Sequence, residues 1–296
     1  MRKKILVIGG SGFLGHNLLK KIALMKNFDI FSLTRSRNQL NEKIKNVNYV
    51  YCDICKLANL KKKIKKNYDY VVNFSGNIDH KKNDETYKVH FGGLNNLIKI
   101  INLKKLKLFL QVGSCLEYGK KQSPQKESFF CKPISNYGKV KYKASKLVKK
   151  KINNFVIIRP YQVYGPYQKF DRLIPMVIKS CIKNEEFPCT QGNQQRDFLY
   201  IDDFINLMIK ILRKNKFKNK IFNVGYGQPT KVKKIINTIV KITKKGRPLF
   251  GGIKMRRDEI NKLYPNLSLV KKELNWKPKI KLKEGLKRTI AFYAKN

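Results

Sequence analysis

No apolar run in this sequence approaches the roughly 20 residues needed to cross a bilayer, so no membrane-spanning segment is expected. Met1-Arg2-Lys3-Lys4 ahead of the apolar stretch Ile5 to Gly10 has the charged start of a secretory leader. The stretch is too short, however, and glycines stand where a cleavage site belongs; it reads as a first β-strand. Metal-ligand spacing is also missing. Cys52 and Cys55 form a C-x-x-C, but no second Cys/His pair follows at zinc-finger distance, and no metal is expected. The remaining cysteines (Cys115, Cys131, Cys181 and Cys189) are scattered, a pattern that fits reduced thiols in a cytoplasmic protein. Carboxylates are scarce: 19 Asp and Glu stand against 66 Lys and Arg, a formal charge of +47. Such a balance ordinarily points to nucleic acid or an anionic surface. Lysine is spread along nearly every segment, though, and no nucleic-acid-binding motif accompanies it. Non-specific attraction to polyanions at low salt is expected, a specific nucleic-acid partner is not.

What is present is an ordinary hydrophobic fraction of 42% over 296 residues, enough for a buried core without cross-links. The first half alternates short apolar strands with amphipathic helices, the pattern of an α/β parallel sheet covered on both faces. The strands are expected at Lys4–Ile8, Asp29–Leu33, Val47–Cys52, Tyr70–Phe74, Leu106–Val112 and Phe155–Ile158. Helical periodicity runs from Leu14 to Met25 and from Phe91 to Ile101. After Arg159-Pro160 the pattern loosens into Gly/Pro-containing loops. One more strand, Ile221–Val224, returns to the main sheet, and the tail mixes helices and loops. There is no internal repeat and no low-complexity linker, so two interleaved lobes fit better than two consecutive domains.

Gly9-Gly10-Ser11-Gly12-Phe13-Leu14-Gly15 follows the first strand directly and opens the first helix. Gly9, Gly12 and Gly15 allow a tight turn, close backbone approach to a diphosphate and close helix–strand packing, with the helix N-terminus facing the negative charge. A strand before and a helix after make this a dinucleotide site. An NAD-specific site usually places Asp or Glu at the end of the second strand; here Thr34-Arg35-Ser36-Arg37 carries no carboxylate. Arg35, with Arg37, suits a 2′-phosphate, which favours NADP(H) and leaves NAD(H) possible; two solvated arginines are the competing reading. Asp53 is either a partner of the adenine amino group or an exposed loop residue.

Tyr137 and Lys141 are four residues apart, on one face of a helix. A phenol titrating near 10 is a poor proton donor or acceptor until a neighbouring ammonium stabilises its phenolate. Chance alone produces Y-x-x-x-K in so lysine-rich a chain. Ser114, just after Val112-Gly113, falls at the carboxyl end of a strand, where open parallel sheets hold their ligands; a serine there is also a common turn residue.

Taken together, these features resemble the extended short-chain dehydrogenase/reductase family, of the NAD-dependent epimerase/dehydratase type, over essentially the whole chain. Besides the glycine turn and the Tyr137/Lys141 pair, Ser114-Cys115-Leu116-Glu117-Tyr118-Gly119 is similar to the family's S-x-x-x-Y-G segment. Arg159 to Pro166, Arg196-Asp197-Phe198-Leu199-Tyr200-Ile201-Asp202-Asp203 and Leu274-Asn275-Trp276-Lys277-Pro278 match further stretches in order. The resemblance implies a Rossmann-like doubly wound parallel sheet with a smaller C-terminal α/β substrate lobe. Residues 1–164 with 200–227 would form the NADP-binding domain, and 165–199 with 228–296 the nucleotide-sugar lobe. It implies a cofactor held by Gly9, Ser11, Gly12, Phe13, Leu14, Gly15, Thr34, Arg35, Arg37, Asp53, Ile54, Phe74, Ser75, Gly76, Tyr137, Lys141 and Pro160. Ser114, Tyr137 and Lys141 become the catalytic set, and Ser114, Cys115, Gln162, Arg196 and Arg256 the contacts to a nucleotide sugar. A homodimer is implied as well. Gln162 and His90 stand where relatives often have Asn.

The 4,6-dehydratases of this family carry Asp and Glu directly after the Ser/Thr position, whereas Cys115 and Leu116 stand there and leucine carries no proton. Glu117 is one register off and is expected to point elsewhere. Dehydration is therefore disfavoured, leaving reduction of a 4-keto sugar or 4-epimerisation. Exchangeable NADPH leans toward reduction. So does Phe250-Gly251-Gly252-Ile253-Lys254-Met255-Arg256, which resembles CDP-abequose synthase-like reductases of 4-keto-6-deoxyhexoses. The reading of another class is a non-catalytic dinucleotide-binding protein with a basic surface for nucleic acid.

Overall fold

The structure, a computed structural model, describes residues 2–39, 42–76, 83–214, 219–255 and 259–295. Along the chain, β1 (Lys3–Ile8) leads through the glycine turn into α1 (Phe13–Ile22), followed by β2 (Phe28–Thr34), β3 (Val47–Tyr51), α2 (Leu57–Lys63) and β4 (Tyr70–Asn73). The helix α3 (Asn83–Tyr87) runs through a π-helical turn (Lys88–Gly93) into α4 (Leu94–Ile100). Then come β5 (Leu108–Val112), a 3-10 turn (Cys115–Tyr118), α5 (Asn136–Lys151) and β6 (Phe155–Pro160). Further on lie β7 (Gln162–Tyr164), α6 (Leu173–Ile182), β8 (Glu186–Cys189), β9 (Gln195–Tyr200), α7 (Ile201–Lys214) and β10 (Lys220–Val224). The chain ends with β11 (Pro229–Lys231), α8 (Val232–Thr243), β12 (Arg247–Phe250), β13 (Lys262–Leu263), α9 (Ser268–Leu274) and α10 (Leu282–Lys295).

Two compact units result: residues 1–121, 127–160 and 205–223 in the first, and residues 122–126, 161–204 and 224–296 in the second. Residues 122–126, 161–164, 200–204 and 224–227 thus group with the second unit, whereas the sequence expectation places them in the first. The seven-stranded sheet runs β10-β6-β5-β4-β1-β2-β3, and the pairs from β3 through to β6 are parallel. Its central strands read as apolar runs because both faces are covered. Ile5, Leu6 and Val7 of β1, Val71 and Val72 of β4, and Phe109 and Leu110 of β5 are fully excluded from solvent. On one face they meet Leu60, Leu94, Leu97 and Val148 from the helices. The strand order reverses at β1, between β2 and β4, and the crevice beyond the carboxyl ends of the strands is where such sheets hold ligands. Gly9, Phe74, Ser114 and Pro160 all fall at those ends.

The six expected strands of the first half and the returning strand Ile221–Val224 are all present, with ends shifted by one or two residues. The loops expected after Arg159-Pro160 are corrected: β7, β8 and β9 lie there, and β11, β12 and β13 interrupt the tail. In the second unit β9 pairs antiparallel with β11 and parallel with β7 and β13, while β8 and β12 form a separate parallel pair. Among the described residues no helix is long and apolar enough to cross a membrane.

Candidate active site

Gly9 adopts φ +75°, and a Cβ there would lie 3.2 Å from the backbone carbonyl of Phe74. The turn is therefore seated on the segment after β4, and only glycine fits both demands. Helix α1 starts with no side chain capping it and no acidic residue in its first turn, so its first N–H groups and the positive end of its dipole are available to an anion. Beside the turn, the Ser75 amide donates to Asn73 Oδ1 at 2.9 Å, and Asn73 Nδ2 donates to Gln111 Oε1 at 2.9 Å. Ser75 Oγ is buried and has no hydrogen-bond partner among the described residues. A glycine cradle, an uncapped helix start and an unsatisfied buried hydroxyl together fit a dinucleotide diphosphate.

At the end of β2, Thr34 Oγ1 donates to Ser11 Oγ at 2.8 Å and ties the strand to the glycine turn. Arg35 and Arg37 come next, both exposed. The Arg37 guanidinium lies 5.3 Å from the centroid of the Tyr51 ring at the end of β3. Asp53 Oδ1 accepts from the Cys55 amide at 2.9 Å, closing a local turn. Asn96 holds that turn from α4 by donating to the carbonyls of Ile54 and Cys55. Ile54 is buried.

Ser114 caps the 3-10 turn in a capping box: Leu116 N donates to its Oγ at 3.2 Å and its own amide donates to Glu117 Oε1 at 2.8 Å. Ser135 caps α5 by accepting from Gly138 N at 3.1 Å. Gly138, between Tyr137 and Lys141, lets the helix approach the Ser114 turn, since a Cβ there would stand 2.6 Å from the Leu116 carbonyl oxygen. One turn on, the Lys141 ammonium donates to the Val112 carbonyl at 2.5 Å, two residues before Ser114. The structure therefore brings the Ser114 turn and the Tyr137/Lys141 face of α5 together from both sides. Burial pushes Lys141 down to about 8, against the opposing pull of Glu117. A group titrating near 8 is mostly an ammonium at neutral pH, and it has the positive charge that a phenolate needs beside it.

Two neighbours have no place in the site expected from the sequence. His90 sits in the π turn, buried, with its ring edge-on to Tyr137 at 5.4 Å between centroids. The same ring packs on Gly76, where a Cβ would lie 2.0 Å from His90 Cε1. His90 therefore connects the segment after β4 to the Tyr137 ring. π turns recur at functional sites, but a single histidine gives no such signal in sequence. Glu117 is the second. Its direction is set by a geometry other than the strand alternation expected. Residues 115–118 form a 3-10 turn rather than extended strand, which swings the carboxylate fully into the interior. There it accepts from Arg159 Nε and Nη2 at 3.1 and 2.9 Å and from Ser145 Oγ at 3.1 Å. Cys115 is buried at the start of that turn, and Pro160 is half-buried at the end of β6.

In the second unit, Arg196 is buried on β9, donates to the Gln195 carbonyl at 2.8 Å and forms an ion pair with Glu259. The motif around it supplies two carboxylate anchors. Asp197 accepts from the amides of Tyr226 and Gly227 at 2.5 Å each, and Asp203 from those of Lys279 and Ile280 at 3.0 and 2.8 Å. Gln162 is exposed on β7. Arg256 lies outside the described residues.

Residues 5–225 match the NAD dependent epimerase/dehydratase family, and the chain belongs to it. Its class is thus that of NAD(P)-dependent enzymes modifying nucleotide-linked sugars. The particular relatives differ in activity. The chain is 30% identical to a putative UDP-glucose 4-epimerase of Methanocaldococcus jannaschii, with 99% of each chain covered. It is 27% identical to the CDP-abequose synthase of Salmonella muenchen, with 98% of each covered. Among solved structures it is similar to UDP-glucuronic acid 4-epimerase from Bacillus cereus in complex with UDP-glucuronic acid and NAD, with a TM-score of 0.87, 22% identity and 99% of each chain covered.

Proposed function

We propose that this protein uses NADPH to reduce a nucleotide-linked 4-keto-6-deoxyhexose to the corresponding deoxysugar nucleotide. The observation that carries the reading is the pairing of an intact Ser114, Tyr137 and Lys141 set with Cys115 and Leu116, which lack the acid and base that dehydration requires. The arginines after Thr34 favour a cofactor with a 2′-phosphate. Gly9, Ser11, Gly12, Phe13, Leu14 and Gly15 would hold its diphosphate, with Ser75 and Gly76 alongside. When bound, NADPH supplies the hydride that reduces the keto carbon. Tyr137 donates its phenolic proton to the keto oxygen as charge develops there, and the Ser114 hydroxyl donates a hydrogen bond to the same oxygen. The Lys141 ammonium stabilises the phenolate left behind. Arg196 and Arg256 would pair with the diphosphate of the sugar nucleotide, and the active form would be a homodimer.

A second reading, 4-epimerisation with retained NAD, draws support from the 30% identity to the putative UDP-glucose 4-epimerase. A panel of CDP-, dTDP-, GDP- and UDP-sugars with NADPH identifies the ligand, because what binds the folded state raises Tm. With the matching keto sugar, a reductase consumes one NADPH per product, whereas an epimerase interconverts sugars and leaves free cofactor unchanged. Tyr137→Phe is expected to lower turnover by about 10³-fold while NADPH binding persists. Retained turnover in that variant would remove Tyr137 from the chemistry.

A further inference from the structure

The Glu117 carboxylate is fully buried and carries more ties than the proposed reduction uses. Its Oε1 takes the Ser114 amide from the 3-10 turn and the Ser145 hydroxyl from α5, and its Oε2 takes the Arg159 guanidinium from β6. Ser145 is one helical turn beyond Lys141 and two beyond Tyr137, on the same face of α5. We propose that Glu117 is a positioning residue that fixes, from one buried carboxylate, both the turn presenting Ser114 and the helix face presenting Tyr137 and Lys141. It touches neither cofactor nor substrate. The proposal rests on the reductase reading only in treating those three residues as the reacting set.

The charge matters as much as the bonds. The Lys141 ammonium is buried, and a buried cation loses its proton readily unless an anion opposes the loss. The groups around the carboxylate are Arg159 from β6, Lys141 and Ser145 from α5, and Tyr118 from the 3-10 turn, with Cys131 beyond Arg159. Other elements packed on α5 carry Asp84, Glu85 and Tyr87 (α3), Lys88 and His90 (the π turn) and Lys99 (α4). The charge of Glu117 opposes the effect of burial on the Lys141 ammonium, which also donates to the Val112 carbonyl. Glu117 thereby keeps at neutral pH the positive charge that the phenolate of Tyr137 requires.

The test reads Lys141 directly and needs no sugar substrate. The protein is labelled with ¹³Cε-lysine, whose side-chain signals report protonation. One signal is expected to titrate near 8 and to be missing in Lys141→Met. In the double variant Glu117→Gln with Arg159→Gln, which removes the carboxylate charge without stranding the guanidinium, that midpoint should fall by roughly one unit. An unchanged midpoint in the folded double variant overturns the proposal. Should the double variant not fold, Glu117→Gln alone is read: a downward shift of the midpoint supports the proposal and an unmoved midpoint overturns it. Absence of NADPH-dependent turnover with every sugar tested, alongside the expected midpoint shift, would sink the functional reading and leave the role of Glu117 standing.

Discussion

Glu117 in the first unit and Asp197 in the second are both completely buried carboxylates, and they are satisfied in opposite ways. Glu117 has a full counter-charge in Arg159, joined by the Ser114 amide and Ser145. Asp197 is held by backbone amides, those of Tyr226 and Gly227 with that of Gln228 contributing. Burial raises the pKa of both; it takes Asp197 to about 6. The contrast separates two uses of a buried charge. An ion pair ties a turn, a helix and a strand together, whereas a ring of amides shapes one turn.

The comparison breaks most violently at Arg159. Arg159→Met strands the Glu117 charge and is expected to cost about 3–5 kcal/mol of folding stability at neutral pH, measured by urea unfolding. The loss should shrink in acid, where Glu117 folds protonated. Asp197→Asn is expected to cost about 2 kcal/mol, since an amide nitrogen then faces N–H donors. Its larger signature is in pH. The folded-state value near 6 exceeds the ordinary value of 3.8, so the folded protein binds a proton that the unfolded chain does not. The stabilisation from Asp197 is therefore complete below the unfolded value and is lost as pH rises through 6. In Asp197→Asn that slope between 3.8 and 6 should disappear from a series of melting curves. The smallest effect belongs to Ser145→Ala, about 1.5 kcal/mol for one bond to a charged acceptor. If that loss persists when Glu117 is already Gln, the hydroxyl is not acting through the carboxylate.

The sheet of the first unit is legible in the sequence because its strands are continuous apolar runs separated by amphipathic helices, and the glycine turn announces which crevice matters. The spacing of Tyr137 and Lys141 is likewise readable, since both lie on α5 and helical geometry alone puts them on one face. The second unit is not readable. Strand β9 obtains its partners from residues 162–164, 229–231 and 262–263, and segments of two or three residues carry no periodicity of their own. The geometry of Glu117 escapes for a related reason: alternation along a strand gives the wrong direction where a serine-capped 3-10 turn takes over. Nothing local distinguishes the histidine at position 90 either, because its importance lies in what it packs between, Gly76 and Tyr137.

The π turn ahead of α4 has an evolutionary corollary. Removing one residue between Lys88 and Gly93 would let ordinary α-helical winding run straight through, at no local cost. It would also rotate α4 by roughly 100° relative to α3. Either the buried row Leu94, Leu97 and Ile98 or the imidazole beside the phenol would then leave its place. The extra residue is thus a phase adjustment, and single-residue indels in this stretch should be much rarer among descendants than substitutions.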